Sequence, residues 1–337
     1  MGNYVIIPTY KESENLVELL PLLRKYNVIV VDDDSQDGTD RVCRRFKNVK
    51  LITRKNERGL ASAVVVGIKS IREKDAAIVV ADADFEHDYN RIKDVFDLLR
   101  ENDFVECVKR GKRFWDRSII SESAKRLLYT LVPETKWLKD PMSGFFGFRL
   151  RSVDMEKVRP VGYKIMLEIY MNLKPKSKKT HIVYDYGYRR HGRSKLSCVV
   201  MLQFLEQVAR LNRYRALIFT VIGAFGIFIN EFLLYEFHIF MPLLNSLVYA
   251  IILSTLINFL MNHYITFSKR GKFAPSLVKF SAVTFVAGVI NLIVAYYLAF
   301  IIMYLISNFI GIILSFIFKY ALSENFVWNI KDGQEPI

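Results

Sequence analysis

The sequence predicts two joined architectures: an α/β domain on a mostly parallel sheet, followed by an α-helical domain of four membrane spans. Three observations predict them. Short β-branched runs alternate with helical patterns through the first part of the chain, acidic clusters fall where those runs end, and the last third holds two long stretches almost free of charge. With 337 residues, 52% of them hydrophobic, the chain could form one large soluble domain. The uneven placement of its apolar residues argues against that.

The elements follow in order. Tyr4 to Ile7 reads as a strand, Glu14 to Lys25 as a helix, Val28 to Val31 as a strand and Thr39 to Phe46 as a helix. Val49 to Ile52 is a third strand, Leu60 to Ile71 a helix and Ala76 to Ala81 a fourth strand. Leu196 to Arg215 mixes Leu202, Phe204, Leu205, Val208 and Leu211 with Glu206, Arg210 and Arg213, the recurrence of a helix lying along a membrane surface. No Lys or Arg occurs from Ala216 to Ser268, and Phe280 to Phe318 carries no charge at all. A bilayer core needs about 20 apolar residues per helix, so each stretch holds a pair, expected near 216–235, 243–263, 277–298 and 301–320. An all-buried soluble helical core is the rival reading, but four such spans leave too little polar surface to cover them. The domains are therefore 1–195, a linker helix at 196–215, and 216–337.

Basic residues set the orientation. Arg210, Arg213 and Arg215 precede the first span, Lys269, Arg270 and Lys272 lie between the second and third, and Lys319 and Lys331 close the fourth. The positive-inside rule then puts both termini and the α/β domain in the cytoplasm of a multi-pass cell-membrane protein. Met1 to Pro8 is too short for a signal peptide before Lys11 and Glu12. The net charge of +14 suits anionic lipid and phosphate-bearing substrates. Nucleic acid is disfavoured as a partner, because there is no zinc pattern and the basic residues are interleaved with membrane-proximal hydrophobes. Cys43, Cys107 and Cys198 stand singly and suggest neither a disulfide framework nor a metal site.

Ligands of open α/β sheets bind beyond the carboxyl ends of the strands, where three polar clusters fall: Pro8-Thr9-Tyr10-Lys11-Glu12, Asp32 to Thr39, and Asp82-Ala83-Asp84-Phe85-Glu86. One acidic loop can simply be solvated; three at one edge point to a site. Asp82, Asp84 and Glu86 alternate, so if the strand direction continues their carboxylates share a side and repel unless a cation lies among them. A hard divalent ion, Mg²⁺ or Mn²⁺, relieves that repulsion and leaves positions for nucleotide phosphates. Neither GxGxxG nor GxxxxGK[ST] occurs, which disfavours a dinucleotide fold or a P-loop ATPase. Lys109, Arg110, Lys112, Arg113 and Arg117, and later Arg189 to Lys195, supply cations suited to a lipid phosphate; the bland alternative is a solvated, lipid-attracting surface. His191 by itself is more readily a hydrogen-bonding residue than an acid or base.

The set PTYKE (8–12), VDDDSQDGT (31–39), RKNERGLASAVVVG (54–67), DADFE (82–86), DPMSGFFGF (140–148), GYKIMLE (162–168) and RRHGRSKL (189–196) resembles family 2 glycosyltransferases of the GT-A fold. It is most similar to the polyprenol phosphate mannosyltransferases, or dolichol phosphate mannose synthases, and the tail resembles the four-span domain fused to some of them. That resemblance implies inverting transfer of mannose from GDP-mannose to dolichyl or polyprenyl phosphate. It implies Pro8, Tyr10, Glu12 and Asp33 at the nucleotide, Asp82 beside the sugar diphosphate and Asp84 at the metal. Lys109, Arg110 and Arg117, with Arg190 and Lys195, are its candidates for the acceptor phosphate. The catalytic set is then Asp82, Asp84 and Arg117, and the metal set Asp82, Asp84 and Glu86.

The sequence departs from the family in three places. Glu86 stands where relatives have Gln, Asp34 replaces the Gly of a DDGS motif and puts the local backbone in question, and the GSR-type segment expected after the fifth strand reads Cys107-Val108-Lys109-Arg110. Nothing in the residues alone selects guanine over uracil or mannose over glucose, so UDP-glucose remains an alternative donor. A processive synthase would need a QxxRW motif, absent around Gln203 and Gln207. A lipid transporter or flippase without transferase activity is the rival of another class. The four spans suit anchoring, homo-oligomer formation or prenyl-chain binding alike.

Overall fold

The computed structural model describes residues 2–110, 115–160, 162–185, 187, 198–268 and 271–328, without the side chains of 115–120, 198 and 305. The chain divides into two compact units, Met1–Leu211 and Asn212–Ile337.

The first unit is a seven-stranded sheet of β1 (Asn3–Thr9), β2 (Asn27–Asp32), β3 (Val49–Thr53), β4 (Ala77–Val80), β5 (Phe104–Arg110), β6 (Phe146–Arg149) and β7 (Lys179–Asp185), in the order β3-β2-β1-β4-β6-β5-β7. Only β6 runs against its neighbours β4 and β5; the other pairs are parallel. The carboxyl ends of six strands therefore share one edge, to which the segment entering β6 also returns.

Strands buried on both faces explain the near-continuous apolar runs. Ile6, Ile29, Val31, Ile78 and Val80 point to one face and pack under α3 (Leu60–Lys69), α6 (Ile165–Met171), α7 (Cys198–Leu211) and Leu128 of α5 (Trp115–Leu131). Val5, Ile7, Val28, Val30 and Val79 point to the other, under α1 (Ser13–Leu19), α2 (Thr39–Cys43) and α4 (Ile92–Leu98). Each fully buried Val or Ile contributes about 1.5–3 kcal/mol, and a one-residue slip of register would reverse both faces. α1 stops at Leu19, short of the expected Lys25, because Pro21 starts a 3₁₀ turn over Leu20–Leu23. Pro8 fits in β1 because pairing with β4 ends at Ile6–Val80.

The second unit holds α8 (Arg215–Phe240), α9 (Leu243–Met261), α10 (Phe273–Leu298) and α11 (Tyr304–Leu322). Their apolar stretches, Arg215–Phe240, Leu243–Thr266, Phe273–Leu298 and Ile306–Val327, are long and apolar enough to cross a bilayer. Phe228, Leu244, Phe285 and Leu292 face outward, whereas Ser246, Ser254, Asn262, His263, Ser307, Ser323 and Glu324 are buried. This inverted pattern is that of a multi-pass membrane protein.

The second hairpin of this unit repeats the first at a constant sequence offset. Ser246 donates to the Pro242 carbonyl as Ser307 does to that of Met303, and Ser254 to Ile251 as Ser315 to Ile312. Both hairpins end in a π-helical turn, Asn262–Thr266 and Ser323–Val327. The next residues, Phe267 and Trp328, stack on each other at 4.1 Å. The polar positions differ: Arg215 pairs with Glu324 at 2.8 Å, whereas the positions matching them in the opposite hairpins are Ser276 and His263.

Candidate active site

Asp33 follows β2, and its N–H donates to the Thr9 carbonyl at 3.1 Å, tying the ends of β1 and β2 together. Arg54, buried just past β3, donates from Nε to Asp33 Oδ1 at 2.8 Å, and its Nη2 contacts the same oxygen. The Gly59 N–H donates to Asp33 Oδ2 at 2.9 Å, and Arg54 also reaches Ser62 Oγ (2.8 Å) and the Gly59 carbonyl (3.0 Å). A charge taken out of water needs such partners. Gly59 has φ +144°, a conformation that side chains rarely adopt. Sequence reading noted RKNERG only as part of the family resemblance and missed Arg54 as the counter-ion of Asp33, since nothing local shows that it folds back onto β2.

A cavity of about 570 Å³ opens beside this pair, lined by Tyr10, Lys11, Asp33, Asp34, Arg58 and their loop neighbours. The Arg58 guanidinium lies 4.6 Å from the centre of the Tyr10 ring. Lys11, Asp34, Gln36 and Asn56, all at the cavity, have φ between +52° and +62°. Asp34 thus takes the left-handed conformation that a Gly would supply, which Asp tolerates better than most residues. Pro8 and Glu12 flank the cavity in sequence, and Glu12 accepts from Asn15 Nδ2 at 2.5 Å.

The Asp82–Glu86 loop follows β4, but the strand direction does not continue: β4 ends at Val80, and Phe85 has φ +64°. The alternation expected of the three carboxylates is therefore lost. Among the described residues no three His, Cys, Asp or Glu side chains gather as a metal-holding group. Asp84 is buried and accepts from the Glu86 N–H at 3.1 Å, while Asp82 and Glu86 are partly exposed. These hard oxygen donors fit a divalent cation held by one or two carboxylates and completed by phosphate oxygens, as Mg²⁺ commonly is.

Two residues overlooked in the sequence brace the loop. The Asp82 N–H donates to His87 Nδ1 at 3.1 Å, and Tyr89 O–H donates to the Asp82 carbonyl at 2.6 Å while accepting from the Phe85 N–H at 3.2 Å. Burial pulls the His87 pKa down to about 4, against the opposing pull of Asp84 and Glu86. The imidazole is neutral, with its proton on Nε2.

The segment entering β6 closes the far side. A Cβ on Gly144 would stand 2.7 Å from Asp82 Oδ2, and one on Gly187 would meet the Phe85 carbonyl, so both glycines allow close approach. Glu106 of β5, fully buried, accepts from the Lys139 N–H (2.9 Å) and the Asp140 N–H (2.7 Å) and lies 3.0 Å from His181 Nε2. Burial pushes its pKa up to about 7.

The Cys107-to-Arg110 segment, expected after the fifth strand, lies within β5, so its side chains alternate. Lys109 turns to Asp140 at 3.2 Å, whereas Arg110 pairs with exposed Asp185 at 2.9 Å on the opposite face. The structure brings Lys109, and not Arg110, to the Asp140 segment. Arg117 stands near the start of α5, but its side chain, with Arg190 and Lys195, lies outside the described residues.

Residues 4–157 match the family described as glycosyl transferase family 2, and residues 218–328 the GtrA/DPMS transmembrane domain. A dolichol-phosphate mannosyltransferase of Pyrococcus furiosus is 34% identical, covering 96% of this chain and 98% of that one. One from Saccharomyces cerevisiae is 32% identical over 63% of this chain and 87% of its own. A dolichyl-phosphate beta-glucosyltransferase of Dictyostelium discoideum is 29% identical over 42% and 52% respectively. With its parallel sheet, single reversed strand and acidic edge, the chain belongs to glycosyl transferase family 2 and is a GT-A-like glycosyltransferase. Within that family it is related to the dolichol-phosphate sugar synthases that carry a fused transmembrane domain.

Proposed function

We propose that the chain transfers mannose from GDP-mannose to a polyprenyl or dolichyl phosphate, with inversion at the anomeric carbon, giving dolichyl phosphate mannose. The observation that carries this reading is the similarity, along 96% of the chain, to a protein named as a dolichol-phosphate mannosyltransferase. Tyr10, Asp33 and Arg58 receive the nucleoside in the cavity between the first two clusters, bordered by Pro8 and Glu12. Asp84, with Asp82 and with Glu86 as an auxiliary oxygen, would hold Mg²⁺ or Mn²⁺, which when bound offsets the charge of the departing diphosphate.

The chain's own residues then orient and neutralise. An acceptor phosphate has a second pKa of about 6, so its attacking oxygen is already ionised and no side chain need remove a proton. His87, neutral and turned into the Asp82 backbone, serves as a brace rather than a base. Lys109 and Arg117, with Arg190 and Lys195, hold the acceptor phosphate in line with the anomeric carbon. The catalytic domain, both termini and the Lys269 to Lys272 loop face the cytoplasm. Externally applied thiol reagent should then label cysteines placed at 237–242 and spare one at Lys272.

Purified protein incubated with a panel of nucleotide sugars and polyprenyl phosphates, with products read by mass spectrometry, tests the chemistry. Mannosyl phosphoprenol from GDP-mannose is expected. Transfer of glucose from UDP-glucose instead would establish the second reading, which the Dictyostelium relative favours. Lipid movement across vesicles without any sugar transfer would overturn both.

A further inference from the structure

One buried polar relay has no part in the chemistry above. Glu168 of α6 is fully buried, and its carboxylate accepts from the Gln207 side chain (3.2 Å) and from Arg210, both on α7. Gln207 also donates to the Lys164 carbonyl at 3.0 Å, and the Lys164 ammonium donates to the Met142 carbonyl at 2.6 Å. Met142 precedes Gly144 in the segment that leaves no room for a Cβ against Asp82. The hydrogen-bonded relay therefore runs from α7 to the Met142 carbonyl, two residues before the Gly144 that lies against Asp82.

Among the described residues, the opposite face of α7 is left exposed. Val199, Leu202 and Leu205 are exposed, Leu202 at 65%, and their spacing puts them on one side of the helix. Val208 is buried on the other side, where Phe204 and Leu211 also pack. α7 ends at Leu211, close in sequence to the first apolar span at Arg215, and its mix of apolar and charged residues is that of a helix suited to a lipid surface.

We propose that lipid contact of α7 is passed through Gln207, Lys164 and Met142 to the setting of Asp82, which makes Lys164 a positioning residue of the transfer site. Only the effect on turnover rests on the transferase reading; the coupling does not. A lysine at 2.6 Å from a carbonyl at the base of a tight segment fixes where that segment lies, and a displacement of about 1 Å at a reacting centre can cost on the order of 100-fold in rate.

Hydrogen–deuterium exchange on the full chain in lipid nanodiscs tests this. Lys164→Met should speed exchange in 140–145 and 82–87 about threefold or more while leaving β2 unchanged. Lys164→Arg should restore the slow pattern. Unchanged exchange, or acceleration spread evenly over the sheet, would overturn the positioning role. Leu202→Glu should loosen the same two segments, with no further effect in the double variant, because the two act in one path. Additive effects or an unmoved loop would sever the lipid link, and a changed oligomeric state would assign the stripe to a second copy of the chain. Lys164→Met should also lower kcat about 10-fold at unchanged KM for the nucleotide sugar. If no donor is turned over by the wild-type chain, the transferase reading fails while the exchange results still decide the relay.

Discussion

Asp33 and Asp84 are both buried carboxylates at the same sheet edge, yet they are held in different ways. Both oxygens of Asp33 are taken by protein donors, two from Arg54 and one from Gly59, and the cavity beside it is already open. Around Asp84 the backbone is braced by His87 and Tyr89, but the carboxylates of its loop do not form a metal-ready group. On the proposed function, the nucleotide side is organised by the protein and the transfer side is left for its ligands to complete. Pre-organisation costs least where the ligand is always the same, and a metal with two substrates can do the rest of the ordering as it binds.

The comparison breaks most sharply at Asp84. Asp84→Ala should lower turnover by about 1,000-fold or more, equivalent to about 4 kcal/mol, with nucleoside monophosphate binding kept. Full activity of this variant with chelator present would reject the metal assignment. Arg54→Met attacks the other side: an orphaned buried Asp33 should cost about 3–5 kcal/mol of stability, read as thermal melting, and weaken binding of the same nucleotide. Melting unchanged in Arg54→Met would show that the Asp33 pair is not structural.

Glu106, which holds the Asp140 segment, sharpens the comparison through pH. Its pKa is raised from the usual 4.5 to about 7, so the folded chain binds the extra proton. The stabilisation is full below about pH 4.5 and is lost as pH rises through 7, a change of about 3 kcal/mol. Glu106→Gln should flatten that slope in melting curves between about pH 4.5 and 7; an identical slope would place the titration elsewhere. The smallest effect is expected for Arg117→Lys, about 10-fold weaker acceptor use with donor affinity intact, since Lys keeps charge but not the two-pronged phosphate geometry. Initial rates against acceptor and calorimetry with donor separate these terms.

The strands and the acidic clusters were readable because each rests on local chemistry: β-branched runs for a sheet covered on both faces, and polar loops at the carboxyl ends. Helix ends were less so, as at Pro21. The reversed β6 gives little sign in FGFR, four residues whose pairing partners lie far away in sequence. The alternation of Asp82, Asp84 and Glu86 failed because it assumed an extended backbone, which the positive φ of Phe85 ends. Arg54 and Gly144 act through contacts across long sequence distances, and Lys109 could be told from Arg110 only once both lay within one strand. The repeat of the membrane unit was hidden for a related reason: its two halves share bonding pattern more than residue identity.

That repeat has a consequence for how such a chain can change over time. A hairpin copied in tandem carries its mate on the same polypeptide, so the Phe267–Trp328 contact is secured without any second molecule. The matching positions that hold the seam leave others free to differ, as Arg215 and Glu324, one from each hairpin, differ from Ser276 and His263. Repetition thereby separates the demand for a stable seam from the freedom to carry a different polar feature.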